Sequence, residues 1–192
     1  MIGYALCGSF CTFSRSLGAL RKLVSMGYEV LPIMSETAYS TDTRFGKAAD
    51  FVKEIEEITG RKIVKTVAEA EPLGPKTVLQ ALIISPCTGN TLAKIAGGIT
   101  DTAVTMAAKA HLRCDRPLII ALASNDALSQ NLSNLGRLIT RRSVYFVPLL
   151  QDDTDKKPHS LVAEIERIPE CLAAALEDRQ VRPLFTEKRT EQ

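Results

Sequence analysis

Apolar residues along this chain fall in short runs, separated by stretches in which they recur every three or four positions. The first kind predicts buried strands and the second predicts helices packed on them. Strands are predicted over 2–7, 28–34, 63–67, 78–84, 117–123 and 144–147, each too short for a typical helix. Leu17, Leu20, Leu23 and Val24 define one helical face that Gly27 ends, and Phe51, Ile55 and Ile58 define another that Gly60 ends. Further helices are predicted over 92–96, from an Asp101 cap to about 112, over 129–140 and over 160–176. In the last, Leu161, Ile165, Ile168 and Leu172 keep spacings of three and four, with Pro169 expected to end or kink the helix. This alternation predicts an α/β protein.

The carboxyl ends of the strands are where an open α/β sheet binds ligands. The run that ends near Ser85-Pro86 is followed by Cys87-Thr88-Gly89-Asn90-Thr91 and then by an alanine-rich helical pattern. Thr88, Asn90, Thr91 and the N–H groups of a helix start offer a cradle for a phosphate or a polar ring edge, although an ordinary capped strand-to-helix turn is the commoner use of such a loop taken alone. The next strand ends in Ser124-Asn125-Asp126. Two neighbouring strand tips that both carry Asn say more than either alone, because Asn offers the donor and acceptor that a heterocycle's amide edge requires. The first turn, Gly8-Ser9-Phe10-Cys11-Thr12, has a single glycine and does not match the dinucleotide fingerprint, although Ser9, Thr12 and Ser14 could hold one phosphate. Glu36, after the second strand, is the one feature that favours a nicotinamide ribose. Arg44 lies in a long polar loop and could pair with a substrate carboxylate.

Composition narrows the setting. With 192 residues, 45% hydrophobic and 24% charged, the chain reads as one globular domain over 1–184 followed by a solvated tail over 185–192. A net charge of +2, with basic residues interleaved among acidic ones, calls for neither nucleic acid nor a membrane surface. No apolar run approaches the roughly 18 residues that span a bilayer, so cytoplasm is the expected location. Five cysteines without a CxxC pair argue against a disulfide framework or a zinc ribbon, and no metal site is assigned. Cys7, Cys11 and Cys87 could still converge at strand ends, and His111 is expected to be structural.

Taken in order, these loops resemble those of the flavoprotein family that includes the peptidyl-cysteine and phosphopantothenoylcysteine decarboxylases. That family carries a PASANT-type loop after a central strand, and Pro86-Cys87-Thr88-Gly89-Asn90-Thr91 fills its slot. STDTRFG, AEPLGPK, SPCTGNTLAKIAGGITDTAVTMAAKAHLR, the RP-to-NDAL segment and QDDTDKKP carry a closer resemblance, to a subtype found in spore-forming bacteria, up to about residue 184. The resemblance implies a three-layer Rossmann-like (flavodoxin-type) sandwich with a central, mostly parallel sheet, FMN at the strand ends, and trimers or higher assemblies. By position, Gly8, Ser9 and Ser35 would match the first flavin-binding turns, and Pro86, Thr88, Gly89, Asn90 and Thr91 the PASANT loop. Ser124 and Asn125 would match the loop that holds the other ring edge.

The subtype further implies a companion, the dehydrogenase-like A subunit of dipicolinate synthase, on which NAD(P) is a candidate cofactor. Together the two would form dipicolinate in the mother cell from a dihydro- or hydroxytetrahydrodipicolinate precursor. Arg44, Lys47 and Lys76 are candidates for binding the carboxylates of that small dicarboxylate, and no catalytic residue is assigned. The peptidyl-cysteine decarboxylases place a His before the strand leading to PASANT, where this chain reads EPLGPK, and their Met-bearing clamp is replaced by SNDAL. Both departures disfavour thiol-directed oxidative decarboxylation. Two alternatives remain: a non-catalytic protein that stabilises the dehydrogenase-like companion, and a free-standing FMN-dependent decarboxylase or prenyl transferase, which the missing His weakens.

Overall fold

A computed structural model describes residues 1–151 and 153–187. Strand β1 (Ile2–Leu6) leads through a 3-10 turn into α1 (Phe13–Ser25). Strand β2 (Val30–Met34) is followed by α2 (Glu36–Ser40), α3 (Ala48–Thr59) and the single turn α4 (Val67–Ala70). Then come β3 (Leu82–Cys87), α5 (Gly89–Gly97), α6 (Ala103–Leu112), β4 (Leu118–Ser124), α7 (Leu132–Ile139) and β5 (Val144–Phe146). The short strands β6 (Leu149–Leu150) and β7 (Leu161–Ala163) precede α8 (Ile168–Ala175).

The parallel strands lie in the order β2-β1-β3-β4-β5, with Gly3 opposite Leu82 and Leu82 opposite Leu118. Helices α1, α3 and α8 pack together on one face, while α4, α5, α6 and α7 cover the other. The result is the three-layer Rossmann-like, flavodoxin-type sandwich. Covering on both faces explains why β3 and β4 are buried along their whole length and read as near-continuous apolar runs. Strand β4 has a divided outer edge. Its first half pairs with β5, whereas Ala123 and Ser124 pair antiparallel with Val162 and Leu161 of β7, and β6 lies beyond. This annex extends the sheet only at the carboxyl end, where it forms one wall of a cleft.

Several predicted elements differ. The run 63–67 contributes a single bridge, Val64 to Ile33, because Thr66 instead caps α4 in a reciprocal capping box with Glu69. The run 78–84 starts late: Val78 is exposed, and the strand begins at Leu82 and continues through Pro86 to Cys87 with a register shift. Thr102, not Asp101, caps α6, and α7 starts at Leu132. The helix predicted over 160–176 divides into β7, a 3-10 turn and α8. Leu161 and Ala163 are buried with Val162 between them, the period of a strand, and Pro169 opens α8, where its missing N–H costs nothing. Backbone pairing also runs past residue 184. Phe185 bridges Leu149 and the Thr186 N–H donates to the Leu149 carbonyl at 2.8 Å. Asp152 of QDDTDKKP and residues 188–192 of the predicted tail lie outside the described residues.

Candidate cofactor cleft

The sheet order reverses between β1 and β3, since the chain steps from β1 outward to β2 and then returns to the other side. At such a switch point the loops leave the strands in opposite directions and open a crevice. A cleft of about 790 Å3 lies there, within the range usual for small-molecule sites. It is walled by the turn after β1 (Gly8 to Thr12), the start of α5 (Thr88 to Asn90), the tip of β4 (Ala123 to Asp126), Arg44 with Phe45, and Val162 of β7.

Local chemistry fixes each wall. Ser9 N–H donates to the Cys7 carbonyl at 2.8 Å and the Thr12 hydroxyl to the Ser9 carbonyl at 2.9 Å, which folds the first turn back on itself. Thr88 caps α5, accepting from the Thr91 N–H at 3.2 Å, and the Thr88 hydroxyl donates to Thr91 Oγ1 at 3.0 Å. Thr91 is thereby turned inward, where its hydroxyl donates to Cys7 Sγ at 3.3 Å, and Asn90 is left exposed at the cleft. At the β4 tip, Asp126 accepts from the Ser124 hydroxyl and from Asn131 Nδ2, the latter at 2.8 Å.

Glycine is required at position 89 by this neighbourhood. A methyl group there would collide with Ser124 Oγ and stand 2.7 Å from both Asn131 Nδ2 and Asp126 Oδ1.

Among the described residues, Arg15, Arg44, Lys157 and Asp126 are the charged ones on the cleft wall. Arg15 forms a two-pronged pair with Glu166, both contacts at 2.7 Å, which holds the Glu166 carboxyl below its ordinary range. The Arg44 guanidinium lies over the Phe45 ring, 4.8 Å from its centre, and Lys157 also borders the cleft. Beneath the floor, burial pushes the Cys7 thiol up to about 11, only partly offset by its hydrogen bond from Thr91. Burial raises Cys87 as well, so both are neutral thiols near pH 7 and not poised nucleophiles. Cys11 stands apart on the exposed rim, and among the described residues no three His, Cys, Asp or Glu side chains group as metal ligands.

Of the residues expected at the site, the cleft brings together Gly8, Ser9, Thr88, Gly89, Asn90, Ser124, Asn125 and Arg44. Five others do not line it. The Ser35 hydroxyl is used as the cap of α2, accepting from the Ala38 N–H. Pro86 is buried within β3, where its carbonyl accepts from Cys7 N–H, and Thr91 faces the floor. Lys47 starts α3 and is exposed outside the cleft. Lys76 is at the opposite end of the sheet, because its connector is tied to the starts of strands: Arg116 Nη1 donates to the Gly74 carbonyl and Gln80 N–H to the Met1 carbonyl. Glu36 is exposed and does not line the cleft. Arg15, Asp126 and Lys157 were not singled out from sequence. Arg15 lay hidden in a helical pattern, and the wall carrying Val162 was read as helix.

A doubly wound α/β protein with an amide- and hydroxyl-lined cleft at its switch point is the class that fold and site define. Residues 1–176 match the profile of the family described as Flavoprotein, and the chain belongs to that family. It is 42% identical over 186 residues to the B subunit of dipicolinate synthase from Bacillus subtilis (strain 168), covering 97% of this chain and 93% of that protein. The crystal structure of the corresponding B subunit from Bacillus halodurans superposes with a TM-score of 0.90 at 41% identity, over 97% of this chain and 96% of that one. The fold is also shared with Burkholderia xenovorans DmrB, described as a cubic protein cage for redox transfer and crystallised in complex with FMN, at a TM-score of 0.66 and 18% identity over 92% and 94% of the two chains.

Proposed function

We propose that this chain is an FMN-binding subunit of dipicolinate synthase, acting with a dehydrogenase-like companion to form dipicolinate from a dihydro- or hydroxytetrahydrodipicolinate precursor. The observation that carries the reading is the convergence of Asn90 and Asn125, from the tips of two adjacent strands, on one open cleft with Gly8, Ser9 and Thr88. The fit to FMN is one of donor types: two amides for a ring edge, and small hydroxyls with a tight turn at a helix start for a single phosphate. Gly8, Ser9, Thr88, Asn90, Ser124 and Asn125 would hold the group, which supplies two-electron redox chemistry when bound. Arg44 would receive a carboxylate of the substrate, and its stacking on Phe45 keeps the guanidinium plane in place for a bidentate pair.

Titration of the purified protein with FMN tests the reading, followed by turnover assays of the dehydrogenase-like companion with and without this chain. Saturable quenching of flavin fluorescence, together with turnover that depends on this chain, is the expected result. A protein that takes up no FMN would sink it. Homo-oligomers, with trimers as the unit, belong to the same proposal, and size-exclusion chromatography with light scattering reads them directly.

A further inference from the structure

One carboxylate is built into the cleft beside the residues that would hold the flavin. Asp126 Oδ1 accepts from the Ser124 hydroxyl, Oδ2 accepts from Asn131 Nδ2, and Asn131 Oδ1 is in turn held by Asn134 Nδ2 at 3.0 Å. The group lies against Gly89, the first residue of α5, so closely that no side chain fits between them. Each carboxylate oxygen retains lone-pair capacity beyond the one donor it already has, and Asp126 borders the cleft. A negative charge at this place meets the positive end of the α5 dipole, which holds the carboxylate ionised and ready to accept. Across the switch point the character is opposite. The Gly8 to Thr12 turn opens α1, and Arg44 stands on the β2 side.

We propose that Asp126 orients the ligand of this cleft by accepting a hydrogen bond from a hydroxyl or N–H of the ligand's uncharged part, which leaves the phosphate to seat at the Gly8 to Thr12 turn. This rests on the reading of the cleft as a flavin site. Ser124 and Asn131 are then positioning residues that act through Asp126, and Gly89 is the space that admits all three.

The test compares FMN with riboflavin, which differ by the phosphate alone, in fluorescence titrations of wild type, Asp126→Asn and Ser9→Ala. Loss of a charged acceptor should weaken both flavins by the same factor, roughly tenfold, and leave their affinity ratio within about twofold of wild type. Ser9→Ala should weaken FMN and spare riboflavin. A thermal midpoint close to wild type establishes that the amide variant is folded, and Asp126→Ser repeats the comparison should it fail to fold. An Asp126→Asn protein that binds FMN more tightly relative to riboflavin would put the phosphate at α5 and overturn the proposal, as would unchanged affinity for both. A wild type that binds neither flavin overturns the cleft reading together with this proposal, whereas the two variant outcomes overturn the orientation alone.

Discussion

The Thr91 hydroxyl donates to the Cys7 sulfur across 3.3 Å, and this contact ties the tip of the first strand to the first turn of α5 beneath the cleft floor. The pair is fully enclosed, so the thiol stays protonated up to about pH 11. A thiol whose folded pKa is raised contributes stability that is complete below its unfolded value, near 9, and is lost as pH climbs through 11. Two units correspond to roughly 3 kcal/mol. Urea unfolding at pH 8, 10 and 11 should therefore show a falling midpoint, with a shallower fall in Cys7→Ala. Equal slopes in the two proteins would remove Cys7 as the cause. Over the same range iodoacetamide should label exposed Cys11 well before Cys7 or Cys87.

Asn90→Ala should lower FMN affinity by about tenfold and leave the unfolding midpoint within about 0.5 kcal/mol of wild type. The reason is its position. Asn90 is exposed at the second residue of α5, and the cap of that helix is made by Thr88, not by the amide. Flavin titration and thermal melting of the same sample check both halves. A variant that loses stability along with flavin would mean that the amide supports the helix.

The separation of Arg44 and Lys76 yields a paired prediction for binding of dipicolinate to the FMN-loaded protein. Arg44→Ala should weaken it by about tenfold through loss of a charge-assisted contact, while Lys76→Ala should leave it unchanged, because that side chain belongs to the far end of the sheet. Isothermal calorimetry reads both. Equal losses would mean that the ligand sits elsewhere.

Legibility in the sequence followed from what each residue answers to. Strands β3 and β4 were plain because burial on both faces leaves an apolar run with no polar period to confuse. Asn90 and Asn125 were found for a related reason, since a polar tip after such a run has few purposes beyond a cap or a ligand. The β7 segment was misread because Leu161, Ile165, Ile168 and Leu172 satisfy the helical period, although the first belongs to a strand and the last two to α8. Arg15 and Asp126 were invisible for a different reason: their partners, Glu166 and Asn131, are set by tertiary placement and not by local pattern. Gly89, a departure from the alanine of PASANT, became intelligible only once Ser124, Asp126 and Asn131 were seen against it.

Acid should weaken the fold through His111. The imidazole is buried on α6, Nε2 is 3.0 Å from the Pro117 carbonyl, and Nδ1 has no partner among the described residues. Facing a carbonyl, Nε2 must carry the proton and donate, which leaves Nδ1 as a bare acceptor and the ring neutral. Burial lowers the pKa from 6.5 to about 4, with the nearby Arg116 charge acting in the same direction. Because the folded pKa lies below the unfolded one, stability is full above pH 6.5 and declines as pH falls from 6.5 through 4, by roughly 3 kcal/mol for this group. Denaturant unfolding at pH 7, 5 and 4 should trace that decline. In His111→Gln a side-chain amide can still donate to the Pro117 carbonyl but does not titrate, so the variant should lose less stability than wild type between pH 7 and 4. If it loses as much, carboxylates paired elsewhere carry the acid response and the buried ring is only a packing element.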